Sequence, residues 1–135
     1  MAPRVKSGLF YLVDQVPKKI SIEVLKGLTL TEITINDERT EIFLRSSCDR
    51  FFRMEHFQDC CEDVYLESVT GDLDDLLNSP IIVAEERSNS SGSKTSSRTW
   101  TFYELATIKG SVTLRWYGES NGCYSEEVSF VETTK

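Results

Sequence analysis

The residues best equipped for chemistry cluster at His56-Phe57-Gln58-Asp59-Cys60-Cys61-Glu62, where one imidazole, two thiols and nearby carboxylates fall together. Such groups are suitable ligands for Zn²⁺, so His56, Cys60 and Cys61 form the candidate metal set. Against zinc, adjacent residues of a strand point to opposite faces, which keeps two neighbouring thiols from one ion. There is no CxxC pair, and Cys48 or Cys123 would have to arrive from elsewhere in the fold. The plainer alternative is a pair of buried thiols beside a turn-forming His and Asp, with no cofactor. Cys with His also invites a nucleophile–base reading. A cysteine hydrolase needs an oriented base and oxyanion donors, and this spacing supplies neither. Asp72, Asp74 and Asp75 lack the alternating oxygens and closing Glu of a calcium loop, and fit helix capping instead. The chain has no Walker loop, GxGxxG or GxSxG. No catalytic residue is assigned, and the chain is read as a non-enzyme.

A second constellation is Arg115-Trp116-Tyr117-Gly118-Glu119-Ser120-Asn121-Gly122. A guanidinium, two aromatic rings, an amide and loop N–H groups near one sheet end can hold a nucleotide or another planar anion by stacking and charge-assisted bonds. Arg115, Trp116, Tyr117 and Asn121 are therefore the candidate ligand- or partner-binding residues. The structural alternative has Asn121-Gly122 forming a turn, Arg115 pairing with Glu104, and the aromatics in the core.

The elements that must position these residues begin with Thr99–Glu132, which reads as three consecutive antiparallel strands. Thr99–Ile108 is rich in Thr, Trp, Phe, Tyr and Ile, types that suit a pleated, half-buried surface. A hairpin at Lys109-Gly110 would set Leu105 opposite Leu114, Tyr103 opposite Trp116 and Glu104 opposite Arg115. A loop over 118–122 would then bring Tyr124 beside Trp116 and Val128 beside Val112. Trp100, Phe102, Ala106 and Ile108 occupy the other face, so the sheet is bulky on both sides and needs covering by a helix, a second sheet or another subunit. A homo-oligomer is one such cover.

Upstream, residues 1–19 read as an N-terminal arm and 20–135 as a single α+β domain. Ser21–Lys26 suggests a short helix capped by Ser21 and stopped by Gly27. Strands are expected over Leu28–Ile35, Thr40–Arg45, Arg50–His56 and Cys61–Val69, with another starting at Ile81–Ala84. A second short helix fits Gly71–Asn78, with Asp72 as its cap. Ser88–Ser97 (SNSSGSKTSS) is expected to be a flexible loop. The fold class is α+β, mainly antiparallel β-sheet of about seven or eight strands with one or two short helices.

The formal charge of −7 argues against nucleic acid as a direct partner, because phosphate binding needs clustered Lys and Arg. Ten acids and no Lys or Arg lie between Glu55 and Glu86, either a solvated face or an interface. No apolar run approaches the roughly 20 residues of a membrane span, so no membrane partner is expected. The first apolar run, Gly8–Val13, is too short for a secretory core. The chain is read as cytoplasmic, with free thiols as the default in that compartment.

Taken in order, HFQDCCE at 56–62, GDLDDLLNSPI at 71–81, AEE at 84–86 and TWTFYELATIKGSVTLRWYGESNGCYSE at 99–126 resemble a family of small uncharacterised proteins from phages and bacterial genomes. The resemblance covers about residues 28–132. It implies a mobile-element setting and carries no established activity. This chain departs from the pattern with Cys123 where Tyr is usual, and with a longer N-terminal arm.

The functional expectation is a non-enzymatic phage-type accessory protein that inhibits a bacterial host or anti-phage defence factor by binding it, in the cytoplasm of the bacterial host. A protein that sequesters a nucleotide-type signal is the second reading, and a virion structural component the third.

Overall fold

The computed structural model describes residues 17–93 and 95–134. The expected arm lies outside the described residues except for its last three. Eight strands run β1 (Leu30–Ile35), β2 (Glu41–Ser46), β3 (Phe51–Glu55), β4 (Asp63–Thr70), β5 (Val83–Gly92), β6 (Ser97–Thr107), β7 (Gly110–Ser120) and β8 (Ser129–Thr133). They form two four-stranded antiparallel sheets, ordered β1-β2-β3-β8 and β4-β7-β6-β5. The mainly antiparallel sheet expected from the sequence is present. Both short helices are single 3-10 turns, Ile22–Leu25 capped by Ser21 and Leu73–Leu76 capped by Asp72. In each, the cap side chain accepts from the backbone N–H two residues on.

Both sheets turn an apolar face to one shared core. Leu30, Ile42, Leu44, Phe52, Met54 and Phe130 come from the first sheet, and Val64, Leu66, Tyr103, Leu105, Leu114 and Trp116 from the second. In β7 the alternation is plain: Val112, Leu114 and Trp116 are buried while Ser111, Arg115 and Glu119 are exposed. This period of two is what places one side of a strand in the core and the other outside. Phe52 stacks on Phe130 with centroids 5.3 Å apart, joining β3 to β8.

Four expectations are corrected here. The strand after β7 does not continue the meander. β8 crosses to the first sheet and pairs with β3, and the place beside β7 belongs to β4, with Tyr65 opposite Tyr117. Gly118 is no break; it lies inside β7, where a Cβ would meet Glu126 Cβ at 2.9 Å and Val64 Cγ2 at 3.1 Å. It marks a close approach within a strand. The β6–β7 hairpin turns at Ile108-Lys109, so the register moves by two. Thr101 faces Trp116, Tyr103 faces Leu114 and Phe102 faces Arg115. Gly110 lies past the two turn residues, opposite Thr107, with the Asp75 carboxylate 2.7 Å from where its Cβ would stand. Finally, the Ser-rich run is largely strand. Ser88–Gly92 pair with Thr101–Ser97. The serines that looked like linker chemistry form the exposed end of the edge strand β5, on a β6 that also pairs with β7 as far as Ser97 opposite Ser120.

Candidate functional site

The outer face of the second sheet gathers its aromatic and basic side chains in rows across the strands. Tyr65, Tyr117 and Trp100 follow one another on β4, β7 and β6, with successive ring centroids 5.7 and 5.4 Å apart. The adjoining row runs Arg115, Phe102, Arg87 on β7, β6 and β5. The two guanidinium carbons lie 5.9 Å and 5.8 Å from the Phe102 centroid, one from each neighbouring strand. Arg115 Nε also donates to Glu67 Oε1 at 2.8 Å. A bulge between Leu66 and Ser68 sits at this point of the β4–β7 ladder. Glu104, the expected partner, sits opposite Thr113 instead. A shallow cavity of about 330 Å³ opens over Arg87, Ser88, Asn89 and Phe102.

Of the four candidate binding residues, the fold brings Arg115 and Tyr117 onto this face. Trp116 points the other way and is fully buried. Asn121 closes the turn after β7, its Oδ1 accepting from Cys123 N at 3.0 Å. Tyr65, Arg87, Trp100 and Phe102 complete the face. The alternating aromatics of β6 announced Trp100 and Phe102, but only the strand order brings in Tyr65 and Arg87.

The His56–Glu62 stretch is a tight loop leading into β4. Cys60 and Cys61 lie in a bend outside any strand, so strand alternation does not separate them, and their sulfurs are bonded to each other. The expected free thiols at these two positions are thus corrected; Cys48 and Cys123 are free and exposed. His56 uses both ring nitrogens: Nε2 meets Glu62 Oε2 and Nδ1 meets the Glu127 carbonyl, each at 2.6 Å. Glu62 also accepts from Asp59 N at 2.8 Å and Cys60 N at 2.9 Å, while Gln58 Nε2 donates to the Glu62 carbonyl at 2.7 Å. Burial pushes the Glu62 carboxyl up, but the His56 bond and the backbone N–H groups of Cys60, Asp59 and Glu62 itself outweigh it and hold its pKa at about 2. As placed, His56, Cys60 and Cys61 serve the loop's own architecture. Among the described residues no three His, Cys, Asp or Glu side chains are grouped to hold a metal ion.

A second buried carboxylate, Glu126, lies next to this loop. It accepts from the hydroxyls of Ser97, Ser120 and Thr99, the last at 2.6 Å. Burial raises its pKa, while the three hydroxyl bonds and the charge of His56 lower it, for a net depression. Neither Glu62 nor Glu126 stood out in the sequence as a hub. The signal was indirect: hydroxyls at 97, 99 and 120 have to face something that accepts from them.

Among the described residues no helix is long and apolar enough to cross a membrane. No curated protein and no solved structure matches the chain. A family model spans most of the sequence: over residues 15–130 the chain belongs to the family described as a domain of unknown function, DUF7448.

Proposed function

We propose that this is a non-enzymatic, phage-type binding protein that inhibits a bacterial host or anti-phage defence protein by docking on it through the outer face of the second sheet. The observation that carries the reading is the contiguous Tyr65–Tyr117–Trp100 row flanked by Arg115, Phe102 and Arg87. Tyr, Trp and Arg are the residues that dominate the binding energy of protein interfaces. A rigid sheet presents them at low entropic cost. The resemblance of the sequence motifs to phage and bacterial proteins supports the setting.

The test is affinity capture from bacterial lysate with the native chain and with a Trp100→Ala/Arg115→Glu variant of unchanged melting temperature. A bacterial protein held by the native chain and released by the variant supports the reading. Equal capture by both removes the outer face from the interface.

A second reading, sequestration of a nucleotide-type signal, is favoured by the cavity beside Phe102, where guanidinium groups approach the ring from both neighbouring strands. Nucleotide-induced thermal stabilisation that is lost in Arg87→Ala/Arg115→Ala would support it over protein docking.

A further inference from the structure

Each sheet has two edge strands, and three of these edges are closed to further pairing. β8 is bridged by Lys19 at Val131, and Ile20 N donates to the Phe130 carbonyl at 2.8 Å. β4 is bulged between Leu66 and Ser68, and the turn before β2 caps it there. Leu66 N donates to the Arg39 carbonyl at 2.7 Å, and Arg39 Nε to the Leu66 carbonyl at 3.0 Å. β1 is short, shifts register between Leu30 and Glu32, and meets Leu77 and Asn78 at Leu30. Short strands, bulges and covering segments are how proteins keep a sheet edge from pairing with another chain.

β5 has none of the three. It is ten residues long, its ladder with β6 runs without a shift, and it contains no Pro or Lys. Glu85–Gly92 are all exposed, and among the described residues no backbone bond reaches their free side. The parity of the ladder is set at its turn, where Ser93 N donates to the Ser96 carbonyl at 2.7 Å. Counting back in steps of two, Ser91, Asn89 and Arg87 bond to β6, so Ser90, Ser88 and Glu86 point their N–H and C=O groups outward. Such an edge is a template for one more strand.

The side chains select which strand fits. Glu85, Glu86 and Arg87 fall at one end of the exposed stretch and the neutral Ser88–Gly92 at the other. An antiparallel copy about a two-fold axis at Ser88 therefore sets each charge against a neutral residue: Arg87 against Asn89, Glu86 against Ser90 and Glu85 against Ser91. An axis at Arg87 would oppose two guanidiniums and an axis at Glu86 two carboxylates, which is destabilising. An axis beyond Ser88 shortens the overlap, because β5 ends at Gly92. The Ser88 axis also aligns the outward backbone groups, with the pairs Ser88–Ser88 and Glu86–Ser90 each exchanging both bonds. We propose that the chain forms a two-fold homodimer by antiparallel β5–β5 pairing centred on Ser88, which joins two second sheets into one continuous sheet. The pairing uses the strand edge and is independent of what the outer face binds.

The test is sedimentation velocity of the full chain from low to high micromolar concentration, with hydrogen exchange on the same samples. The native chain is expected to sediment as a dimer, and the amides of Glu86, Ser88 and Ser90 to exchange more slowly as concentration rises. Ser88→Pro removes an outward N–H that β6 does not use, a position where an edge strand tolerates proline. It weakens the dimer about tenfold or more, through the bonds lost at the axis. Ser88→Lys sets two ammonium groups against each other at the axis and weakens the dimer similarly with the backbone untouched, so it reports even where proline disturbs β5. The proposal is overturned by a native chain that stays monomeric throughout. It is overturned equally by a dimer that either folded variant leaves at native strength, or whose formation leaves the exchange of those amides unchanged, since the copies then meet elsewhere.

Discussion

Glu62 and His56 meet at 2.6 Å, and the other nitrogen of the same ring reaches the Glu127 carbonyl at an equal distance. Through one imidazole, the loop that enters β4 is fastened to the segment that leads into β8, 71 residues further along the chain. When the ring is protonated both nitrogens donate, so a single side chain ties the entrance of the second sheet to the return into the first. Removing it leaves a buried carboxylate and a carbonyl without their partner. Such a pair costs more to break than its net contribution when intact.

Glu62 gives this junction a pH signature. Its folded pKa of about 2 lies below the ordinary carboxylate value. The associated stability is therefore fully present above about pH 5 and is lost as pH falls through about 2. A depression of this size corresponds to about 3 kcal/mol. Glu62→Gln keeps the volume but removes the charge and points an amide N–H₂ at groups that need an acceptor. Urea unfolding at pH 7, 4 and 2.5 should show the native chain more stable than the variant by about 3 kcal/mol at pH 7. The gap should close towards pH 2.5. A gap independent of pH would assign the effect to packing instead.

Gly118→Ala probes the close approach inside β7. The added methyl would stand 2.9 Å from Glu126 Cβ and 3.1 Å from Val64 Cγ2. Both neighbours are held, Glu126 by its three hydroxyls and Val64 by β4. The expected loss is about 1–3 kcal/mol, the range for overpacking a filled site, read as a lower urea midpoint with an unchanged slope.

That glycine also shows where the sequence stopped being legible. Strand content, both capped turns and the alternation of β7 follow from local pattern, because each depends on residues within one element. Gly118 reads locally as a turn former, yet its reason is a contact with Glu126 and Val64, one from another strand and one from the segment beyond. The position beside β7 went to β4 for the same kind of reason: Tyr65 and Leu66 lie far away in sequence, and nothing near residue 117 names them. Arg115, Trp116 and Tyr117 were legible as residue types. Which of them faced out depended only on strand parity. Arg87 could not be added until Ser88–Gly92 was known to be strand, and a run of serines carries no such signal.

Trp116 and Tyr117 are adjacent but answer to different layers. Trp116 is a fully buried core residue, whereas Tyr117 edges Tyr65 and Trp100 on the outer face. Trp116→Ala should lower stability by about 3–5 kcal/mol and abolish any binding by unfolding the chain. Tyr117→Ala should cost about 1–2 kcal/mol, in line with a half-buried substitution that loses two aromatic pairs. Thermal melts followed by near-ultraviolet circular dichroism separate the two. Equal losses would contradict the assignment of the two rings to opposite faces.

Arg115 separates an interaction made for stability from one kept for recognition. Its partner Glu67 is 2.8 Å away, but both side chains are substantially exposed, at 45% and 36%. Solvent-exposed ion pairs contribute about 0–1 kcal/mol. Arg115→Ala and Glu67→Ala should therefore each leave the urea midpoint nearly unchanged, and the double variant should show a coupling below about 1 kcal/mol. Partner capture should respond unequally. Losing Arg115 removes a guanidinium from the Phe102 row and should weaken capture, whereas losing Glu67 frees that guanidinium and should leave capture intact or strengthen it. A capture assay that declined equally with both substitutions would mean the ion pair itself, and not the arginine, forms the contact.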